Sequence, residues 1–415
     1  MISRDGWLLF ATYAVRMFAY GFLSVILGPY LASLGLDPMA IGWVFTASLA
    51  GGALMTIGLT AVADRVGRRR VQAAGAVLML LAGAAFVLTD RLALLVAAAT
   101  LGAISPSGKD VGPFLAVEQA MLPETTAAAQ RTRVFATYNL VGSLAGAFGA
   151  LAAGLPAALG FEAMAGYRAL LWGYAAAAAI LLALYTRLSP RVEAPAPTGG
   201  QARRGLGLSR SRGIVTRLAA LFALDSFAGG FVVQGLVAYW FYLRWGLPTG
   251  ALAGIFFGTN LLAALSFLLA APIARRIGLL NTMVFTHLPS NVLLLLVPLM
   301  PDATLAVLML LLRHLASQLD VPTRQSYTMA VVEPEERAAA AGLLAVARNG
   351  AAAVAPAFAG AALVVPALGL PFLVAGSLKI VYDLSILALF RGVRPPEELG
   401  RTAPGPGQPT MRRSS

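Results

Sequence analysis

The chain has no cysteine, only two histidines and few charged residues for its length of 415. Without cysteine it can hold no disulfide, thiol nucleophile, iron–sulfur cluster or cysteine-ligated zinc, and two histidines are too few for an all-histidine metal site. The glycine-rich Gly-x-x-x-x-Gly-Lys-Ser/Thr loop that cradles the phosphates of ATP is missing as well. Because no nucleophile–base pair or cluster of metal ligands is evident either, we expect no enzyme, no cofactor and no metal.

Charged residues make up only 12% of the chain, whereas the residue set AVILMFWYC makes up 59%. A soluble domain usually has about twice this fraction of charged residues. A soluble protein of this size could not cover its surface with so few polar side chains. The composition therefore predicts an integral membrane protein that has the lipid bilayer as its partner.

Apolar stretches of about 20 residues, the length that crosses a bilayer as a helix, recur along the whole chain. Strands of a membrane barrel would be about half as long and would alternate between polar and apolar residues. We therefore predict an all-α membrane protein with twelve transmembrane helices. The predicted spans are 6–34, 38–62, 71–89, 92–117, 134–155, 168–187, 214–242, 249–273, 279–299, 303–326, 338–364 and 371–390.

A polar interval rich in proline, glycine and arginine separates the sixth predicted span from the seventh. We predict an N-terminal six-helix half at 1–187, a cytoplasmic linker at 188–213 and a C-terminal six-helix half at 214–390. The remaining polar segment, 391–415, is expected to be a disordered cytoplasmic tail. No cleavable signal peptide is expected, because the first apolar run is too long and contains Arg16.

Arginine and lysine are distributed unevenly between the two sides of the predicted membrane. The loops on the side opposite the N-terminus hold only Arg91, Arg168 and Arg244, and the other loops hold many more. Cytoplasmic loops carry this excess of basic residues, so both termini are predicted to be cytoplasmic in a multi-pass protein of the inner (plasma) membrane. The net charge of +13 thus comes from basic loops that set the orientation in the membrane, and no nucleic-acid partner is expected.

The two predicted halves resemble each other when the chain is shifted by about half its length. Residues 14–22 around Arg16 align with residues 223–231 around Asp225, and residues 110–113 align with 320–323. The loop at 63–67 likewise aligns with 274–278. Because each half has an even number of spans, the repeats run in the same orientation, as in transporters that bind their solute near the midplane between two halves.

The loop after predicted span 2, Asp64-Arg65-Val66-Gly67-Arg68-Arg69, resembles the G-x-x-x-D-R-x-G-R-R signature of the major facilitator superfamily, with Thr60 at the leading glycine. The resemblance covers nearly the whole chain. In span 5, Gly142-x-x-x-Gly146-x-x-Gly149 partly resembles the antiporter motif of that superfamily. The resemblance implies two pseudo-symmetric six-helix bundles and rocker-switch alternating access, as in the bacterial drug and metabolite exporter branches.

Charged side chains within the predicted spans are costly in lipid and therefore indicate function. Arg16 and Asp225 occupy equivalent positions of the repeat near the midplane, and Arg313 lies inside span 10. The resemblance implies that spans 1, 4, 7 and 10 line a central cavity. We predict that Arg16 binds an anionic group and that Asp225 carries a proton. The alternative is a structural ion pair between Arg16 and Asp225.

Lys109 and Asp110 follow Ser-Pro-Ser-Gly at 105–108, a sequence that is expected to interrupt span 4. Interrupted helices expose backbone groups that are tolerated only against protein or water. Together with Glu118, these two residues are predicted to form a gate or a proton exit. A salt-bridged helix end is the alternative.

Two further pairs of opposite charge are four residues apart, the spacing at which helical side chains meet. Asp320 and Arg324 in span 10, and Lys379 and Asp383 in span 12, are each expected to neutralise one another. His314 is expected to pack without a proton-relay role.

Asp64, Arg65, Gly67 and Arg68 are predicted to form a cytoplasmic latch. A carboxylate and guanidinium groups between helix ends can form and break contacts as two halves rock, which biases one conformation. The alternative is that these arginines only determine topology.

The sequence thus predicts a monomeric secondary transporter for a small-molecule substrate. The first hypothesis is export by proton antiport, with protons as the second partner, which the glycine pattern of span 5 favours. The second is proton-coupled uptake or exchange of an organic anion, which Arg16 and Arg313 favour. A transporter-like sensor is the alternative from another functional class.

Overall fold

A computed structural model describes most of the chain. The described residues are 2–110, 112, 114–126, 130–193 and 210–393. Most of the predicted linker and nearly all of the predicted tail lie outside the described residues.

Within these ranges the regular structure is entirely helical. The helices of the first six spans are α1 (Arg4–Ser33), α2 (Pro38–Val66), α3 (Arg68–Leu88), α4 (Leu92–Leu101), α5 (Phe114–Met121), α6 (Arg131–Ala152), α7 (Leu155–Ala158) and α8 (Ala163–Thr186). Those of the last six are α9 (Arg212–Gly230), α10 (Gln234–Trp245), α11 (Thr249–Ile277), α12 (Leu279–Leu296), α13 (Ala303–Ala316), α14 (Asp320–Val331), α15 (Arg337–Ala362) and α16 (Leu370–Phe390). The fourth, seventh and tenth spans each consist of two helices, namely α4 with α5, α9 with α10, and α13 with α14.

Eleven helical segments of the described chain are long and apolar enough to cross a bilayer. The remaining span begins with α4, which has ten residues and is too short to cross alone. Continued by α5 after an interruption, it completes twelve spans in two pseudo-symmetric six-helix bundles, so the predicted fold class is confirmed. We call the end of the structure at which α1 begins and α16 ends the terminal end.

Equivalent turns of the two bundles contain equivalent glycines. Gly67 between α2 and α3 has a φ angle of 107°, and Gly278 between α11 and α12 has a φ angle of 88°. Both angles are in the region that only glycine adopts without a clash of its side chain. Glycine is therefore repeated at this loop because both turns need a positive φ angle.

Span 4 is interrupted at residues 102–110, as the sequence predicts, and we call this segment the span-4 break. The helix α4 ends at Leu101, and the break contains positive φ angles at Ala103 and Gly108. Its carbonyl groups find partners, since Tyr174 donates to the Ala103 oxygen at 3.1 Å and the Gly235 amide donates to the Pro106 oxygen at 2.8 Å. Such contacts make a break tolerable inside a membrane protein.

The two bundles pack closely at the end opposite the terminal end. There Gly42 of α2 meets Gly360 of α15. A methyl group on Gly42 would lie 2.5 Å from the Pro356 oxygen of α15, and one on Gly360 would lie 2.4 Å from the Pro38 oxygen at the start of α2. The closest contacts between the bundles therefore lie away from the terminal end. We infer that the central cavity required by alternating access opens at the terminal end.

Hydrogen bonds between the bundles reinforce the closed end. Gln234 Nε2 donates to Ser24 Oγ at 2.8 Å, and the Ala357 amide donates to Thr46 Oγ1 at 2.9 Å. All four residues lie in the part of their spans that is distant from the terminal end. The bond between Gly235 and Pro106 lies in the same layer and joins the span-4 break to α10.

Candidate functional site

Arg16, in the middle of α1, is completely buried and binds two carboxylates at once. Its Nη2 donates to Asp110 Oδ2 at 2.7 Å and to Glu118 Oε2 at 2.6 Å. Its Nε lies 3.2 and 3.1 Å from the two Asp110 oxygens. The structure thus unites Arg16, predicted to bind an anion, with Asp110 and Glu118, which were predicted together with Lys109 to form a gate or a proton exit.

Glu118 is held by hydroxyl groups from three helices. Thr12 Oγ1 donates to Oε1 at 2.8 Å, Tyr185 OH donates to the same oxygen at 2.6 Å, and Tyr138 OH donates to Oε2. The sequence analysis assigned no role to the two tyrosines, although a phenol in an otherwise apolar span is a signal for a buried polar partner. Arg16, Asp110, Glu118 and these hydroxyl groups form what we call the Arg16 cluster.

Aromatic rings complete the Arg16 cluster. The guanidinium carbon of Arg16 lies 4.8 Å from the ring centre of Phe114 and 5.4 Å from that of Tyr13. Tyr13 in turn stacks on Tyr138, with ring centres 4.1 Å apart. Rings at these distances stabilise a cation and exclude water from it.

The C-terminal bundle has a second cluster around Asp225 of α9. Lys379 Nζ of α16 lies 2.5 Å from Asp225 Oδ1, and Arg324 Nη1 of α14 lies 3.0 Å from Oδ2. The same Arg324 nitrogen lies 3.3 Å from Asp320, so the predicted pair of Asp320 and Arg324 is present. We call Asp225, Asp320, Arg324 and Lys379 the Asp225 cluster.

The expected pair of Lys379 with Asp383 is wrong. Helix α16 packs against both α9 and α12, and its two charged side chains bind different neighbours. Lys379 binds Asp225, whereas Asp383 accepts from Asn291 at 2.8 Å and lies 2.8 Å from His287 Nδ1. Helical spacing alone could not reveal this, because both partners come from distant parts of the chain.

Arg16 and Asp225 do not pair with each other. Each is neutralised within its own bundle, by Asp110 and Glu118 in one case and by Lys379 and Arg324 in the other. The alternative of a structural ion pair between the halves is therefore wrong. The proton-carrier role of Asp225 and the anion-binding role of Arg16 stay predictions.

Three cations near the boundary between the bundles form no ion pair with any described residue, namely Lys109, Arg313 and Arg348. Lys109 of the span-4 break is exposed, although Asp320, Arg324, Arg348 and Lys379 of the other bundle lie within electrostatic range. His314, beside Arg313, lies 2.7 Å through its Nδ1 from the Leu310 oxygen of its own helix.

Arg313 and Arg348 have few hydrogen-bond partners among the described residues. Arg313 Nε is buried and has no hydrogen-bond partner among the described residues. Within the described ranges, Arg348 Nε has a single polar contact, at 3.4 Å from Ser226 Oγ. Arg313 and Arg348 both lie within electrostatic range of Asp225 and Asp320. The sequence analysis assigned no role to Arg348.

This side of the cavity therefore carries a surplus of positive charge. The cations Arg313, Arg324, Arg348 and Lys379 outnumber the carboxylates Asp225, Asp320 and Asp383, and Lys109 of the other bundle lies within electrostatic range as well. A cavity with low-dielectric walls concentrates the field of such a surplus and attracts ions of the opposite sign. The geometry is suited to binding a small anion.

The residues of the predicted latch are grouped at the terminal end of the N-terminal bundle. Asp64 Oδ1 lies 2.8 Å from Arg68 Nε, and the Arg68 amide donates to Glu193 Oε2 at 2.5 Å. Gly67 provides the turn between them, while Arg65 is exposed. The sequence analysis assigned no role to Glu193. Latching as a function stays a prediction.

Comparisons with known proteins agree with this architecture. The family model described as "Major Facilitator Superfamily" matches residues 9–316. The chain is 28% identical to the uncharacterized membrane protein YJR124C of Saccharomyces cerevisiae, over 94% of this chain and 95% of the yeast protein. Neither match bears on a bacterial source or an exporter branch, which stay predictions.

Two solved structures share the fold at low sequence identity. The nucleoside transporter NupG aligns with a TM-score of 0.72 and 16% identity, over 94% of this chain and 99% of NupG. The human organic anion transporter MFSD10 (TETRAN) aligns with a TM-score of 0.63 and 17% identity, over 92% of this chain and 98% of MFSD10.

Proposed function

Because the chain belongs to the Major Facilitator Superfamily, we propose that it is a secondary transporter that moves a small organic anion across the membrane by alternating access. The family and the fold support a transporter of small solutes over an enzyme. The single observation that carries the substrate class is the set of cavity cations, Lys109, Arg313 and Arg348, which have no ion pair with the described residues.

The position of these cations also suggests how an anion would drive the conformational change. Lys109 belongs to the N-terminal bundle, whereas Arg313 and Arg348 belong to the C-terminal bundle. An anion between them would attract both bundles and favour closure of the cavity at the terminal end. A ligand shifts such an equilibrium by its difference in affinity for the two states, and a bridging anion has contacts on both sides only when the cavity is closed.

The proposal is tested by thermal unfolding of the purified protein with matched solutes. Fumarate and malate are compared with their neutral diamides, because only the charge differs appreciably. A bound solute stabilises the folded state by about 2.7 kcal/mol at a concentration of 100 times its Kd. We expect the anions to raise Tm and the diamides to leave it unchanged.

Neutral variants of the cavity cations provide the control. Arg313→Gln and Arg348→Gln should remove the anion-dependent rise in Tm, whereas Arg217→Gln, an exposed arginine at the terminal end of α9, should retain it. Equal stabilisation by diamides and anions, or full retention of the effect in the two cavity variants, would contradict an anionic substrate.

Export by proton antiport is the second candidate, and the packing of α6 against α1 favours it. A methyl group on Gly149 would lie 2.0 Å from the Phe18 oxygen, and one on Gly142 would lie 2.1 Å from the Tyr13 ring. These glycines carry the partial antiporter motif, so the motif coincides with a real close contact. Reconstituted vesicles with an imposed pH gradient would distinguish the directions, since antiport moves the solute against the proton flow.

The proposed orientation places both termini in the cytoplasm, with the cavity open to that side, in a monomeric protein of the plasma (inner) membrane. A reporter fused after Ser415 or inserted near Gly200 should be cytoplasmic, and one near Pro301 should be on the opposite side. The opposite reporter pattern would show that the termini lie on the other side of the membrane. Anion binding without any transport in vesicles would instead favour a transporter-like sensor.

A further inference from the structure

A groove at the terminal end has no part in either charged cluster. It lies between the starts of α1 and α6 and has a volume of about 610 Å³, which is enough for a small organic molecule. Trp7 and Arg133 are exposed in it, and we call this space the Trp7 groove. Its lining residues are Ile2, Trp7, Gln130, Arg133, Val134 and Thr137.

Trp7 lies on the face of α1 that is directed away from the interior of its own bundle. Arg16 points into that interior, where it binds Asp110 and Glu118. Nine residues separate Trp7 from Arg16, which is about two and a half turns of helix, so the two side chains leave α1 in opposite directions. The Trp7 side chain is 62% exposed, although α1 packs against helices of both bundles.

The groove also lies on the face of α6 that is directed to the C-terminal bundle. Thr137 is eleven residues from Phe148, which is about three turns of helix, so the two side chains share one face. The Phe148 ring contacts Phe257 of α11, with ring centres 5.5 Å apart. The Trp7 groove therefore borders the space between the bundles from the N-terminal side, and the first turn of α6 places it at the terminal end.

Trp7 and Arg133 provide two different kinds of contact. An exposed indole ring stacks on another flat ring, and a guanidinium group donates two parallel hydrogen bonds to a carboxylate. Arg133 forms no ion pair with any described residue. The carboxylate of Asp5, two residues before Trp7, is buried and accepts from the Ser189 amide at 3.0 Å and from the Ser189 hydroxyl at 2.5 Å.

We propose that the Trp7 groove is an outer binding site for an aromatic carboxylate. Arg133 binds the carboxylate of the ligand, and Trp7 stacks on its ring. A solute that enters from the terminal end reaches Arg133 before it reaches Arg313 and Arg348, which lie deeper in the other bundle. The role of the groove as an entry site rests on the proposed function, whereas the binding itself does not.

Three probes of similar size separate the two contacts. Benzoate has both the flat ring and the charge, cyclohexanecarboxylate has the charge without a flat ring, and benzamide has the ring without the charge. Isothermal titration calorimetry measures their binding to the wild-type protein and to a background variant, Arg313→Gln with Arg348→Gln, which lacks the deeper cations. In the background variant, benzoate should bind about 2- to 12-fold more tightly than cyclohexanecarboxylate, the range that one aromatic pair supplies, and benzamide should not bind measurably.

Variants of the two groove residues, each added to the background variant, localise the site. Arg133→Gln should abolish benzoate binding. Trp7→Leu should bind benzoate no better than cyclohexanecarboxylate, whereas Trp7→Phe keeps a flat ring and should retain the preference. The controls are Arg131→Gln, an exposed arginine of α6 that does not line the groove, and Trp172→Leu, an exposed tryptophan of α8. Both controls should bind benzoate as the background variant does.

The outcomes separate the outer site from the proposed function. Benzoate binding that is unchanged in Arg133→Gln, as partition into detergent would give, overturns the outer site and leaves the anionic substrate in place. Equal affinities for benzoate and cyclohexanecarboxylate in the background variant also overturn it. Benzoate binding that persists in the background variant and is lost in Arg133→Gln supports the outer site, even if fumarate and malate do not bind at Arg313 and Arg348.

Discussion

The Arg16 cluster and the Asp225 cluster occupy equivalent positions in the two bundles but have opposite charge patterns. On α1 a single cation lies between two carboxylates, and at the equivalent position of α9 a single carboxylate lies between two cations. Asp110 and Asp320 are also equivalent, and each binds an arginine. The repeat thus preserves where charges lie, but the sign is reversed between Arg16 and Asp225 and kept between Asp110 and Asp320. The Arg16 cluster therefore has one carboxylate in excess, whereas the Asp225 cluster has two carboxylates and two cations.

The clusters also differ in how completely their polar atoms are satisfied. Every nitrogen of the Arg16 guanidinium group has a hydrogen-bond partner. Near the Asp225 cluster, by contrast, Arg324 Nε and Arg313 Nε are buried without a partner among the described residues. A buried donor without a partner is costly, so the C-terminal side is the one that a ligand would complete.

The largest expected effect is on stability, when the cation of the Arg16 cluster is removed. Arg16→Gln leaves two buried carboxylates facing each other and should lower the free energy of unfolding by about 3–5 kcal/mol. Thermal unfolding in detergent measures the change, with Arg217→Gln as the exposed control. Addition of Asp110→Asn to Arg16→Gln should recover part of the loss. A Tm equal to that of the wild type would show that the cluster is not a tightly packed ion pair.

Double-mutant cycles test whether the clusters are independent. Asp225→Asn and Lys379→Met remove partners in direct contact and should show a coupling energy of about 0.5–3 kcal/mol. Arg16→Gln and Asp225→Asn, which affect different bundles, should be additive within about 0.5 kcal/mol. The exchange of charges in Arg16→Asp with Asp225→Arg should accordingly restore neither folding nor transport. Rescue by this exchange would contradict the separation of the two clusters.

Asp225 is the proton carrier that the sequence predicts, and its contacts in the structure favour a permanently ionised side chain. Asp225 contacts Lys379 and Arg324, which stabilise its ionised form, so we expect Asp225→Asn to weaken folding but to leave the pH dependence of transport in vesicles unchanged. Loss of that pH dependence in Asp225→Asn would restore the sequence-based assignment of the proton to Asp225.

The smallest effect is expected at the terminal end. The side chain of Asp64 is 62% exposed, so its pair with Arg68 should contribute less than about 1 kcal/mol. Asp64→Asn should therefore slow transport in vesicles by no more than about fivefold, by a shift of the balance between the two conformations. The equivalent loop of the other bundle has Arg275 instead of the acid, and Arg275→Gln is the matched comparison. Unchanged turnover in Asp64→Asn would leave the loop as a topology determinant only.

Some features of the site were evident before any tertiary structure. The interruption of span 4 follows from Pro106 and Gly108, which lie two residues apart, and the turn at Gly67 follows from a repeated glycine at Gly278. Both are local effects of backbone geometry. The importance of Arg16, Asp110 and Glu118 was also evident, because any charge within a span is exceptional. Their mutual contacts were not.

The sequence by itself determined the membrane location, the twelve spans and the repeat, because the length of an apolar run and the spacing of motifs are local properties that the bilayer selects directly. Only the tertiary structure decided which charges meet. Lys379 binds Asp225 and not Asp383, and Arg16 binds Asp110 and Glu118 and not Asp225. These pairings depend on how each helix is rotated and packed against helices far away in the chain, which no local pattern records.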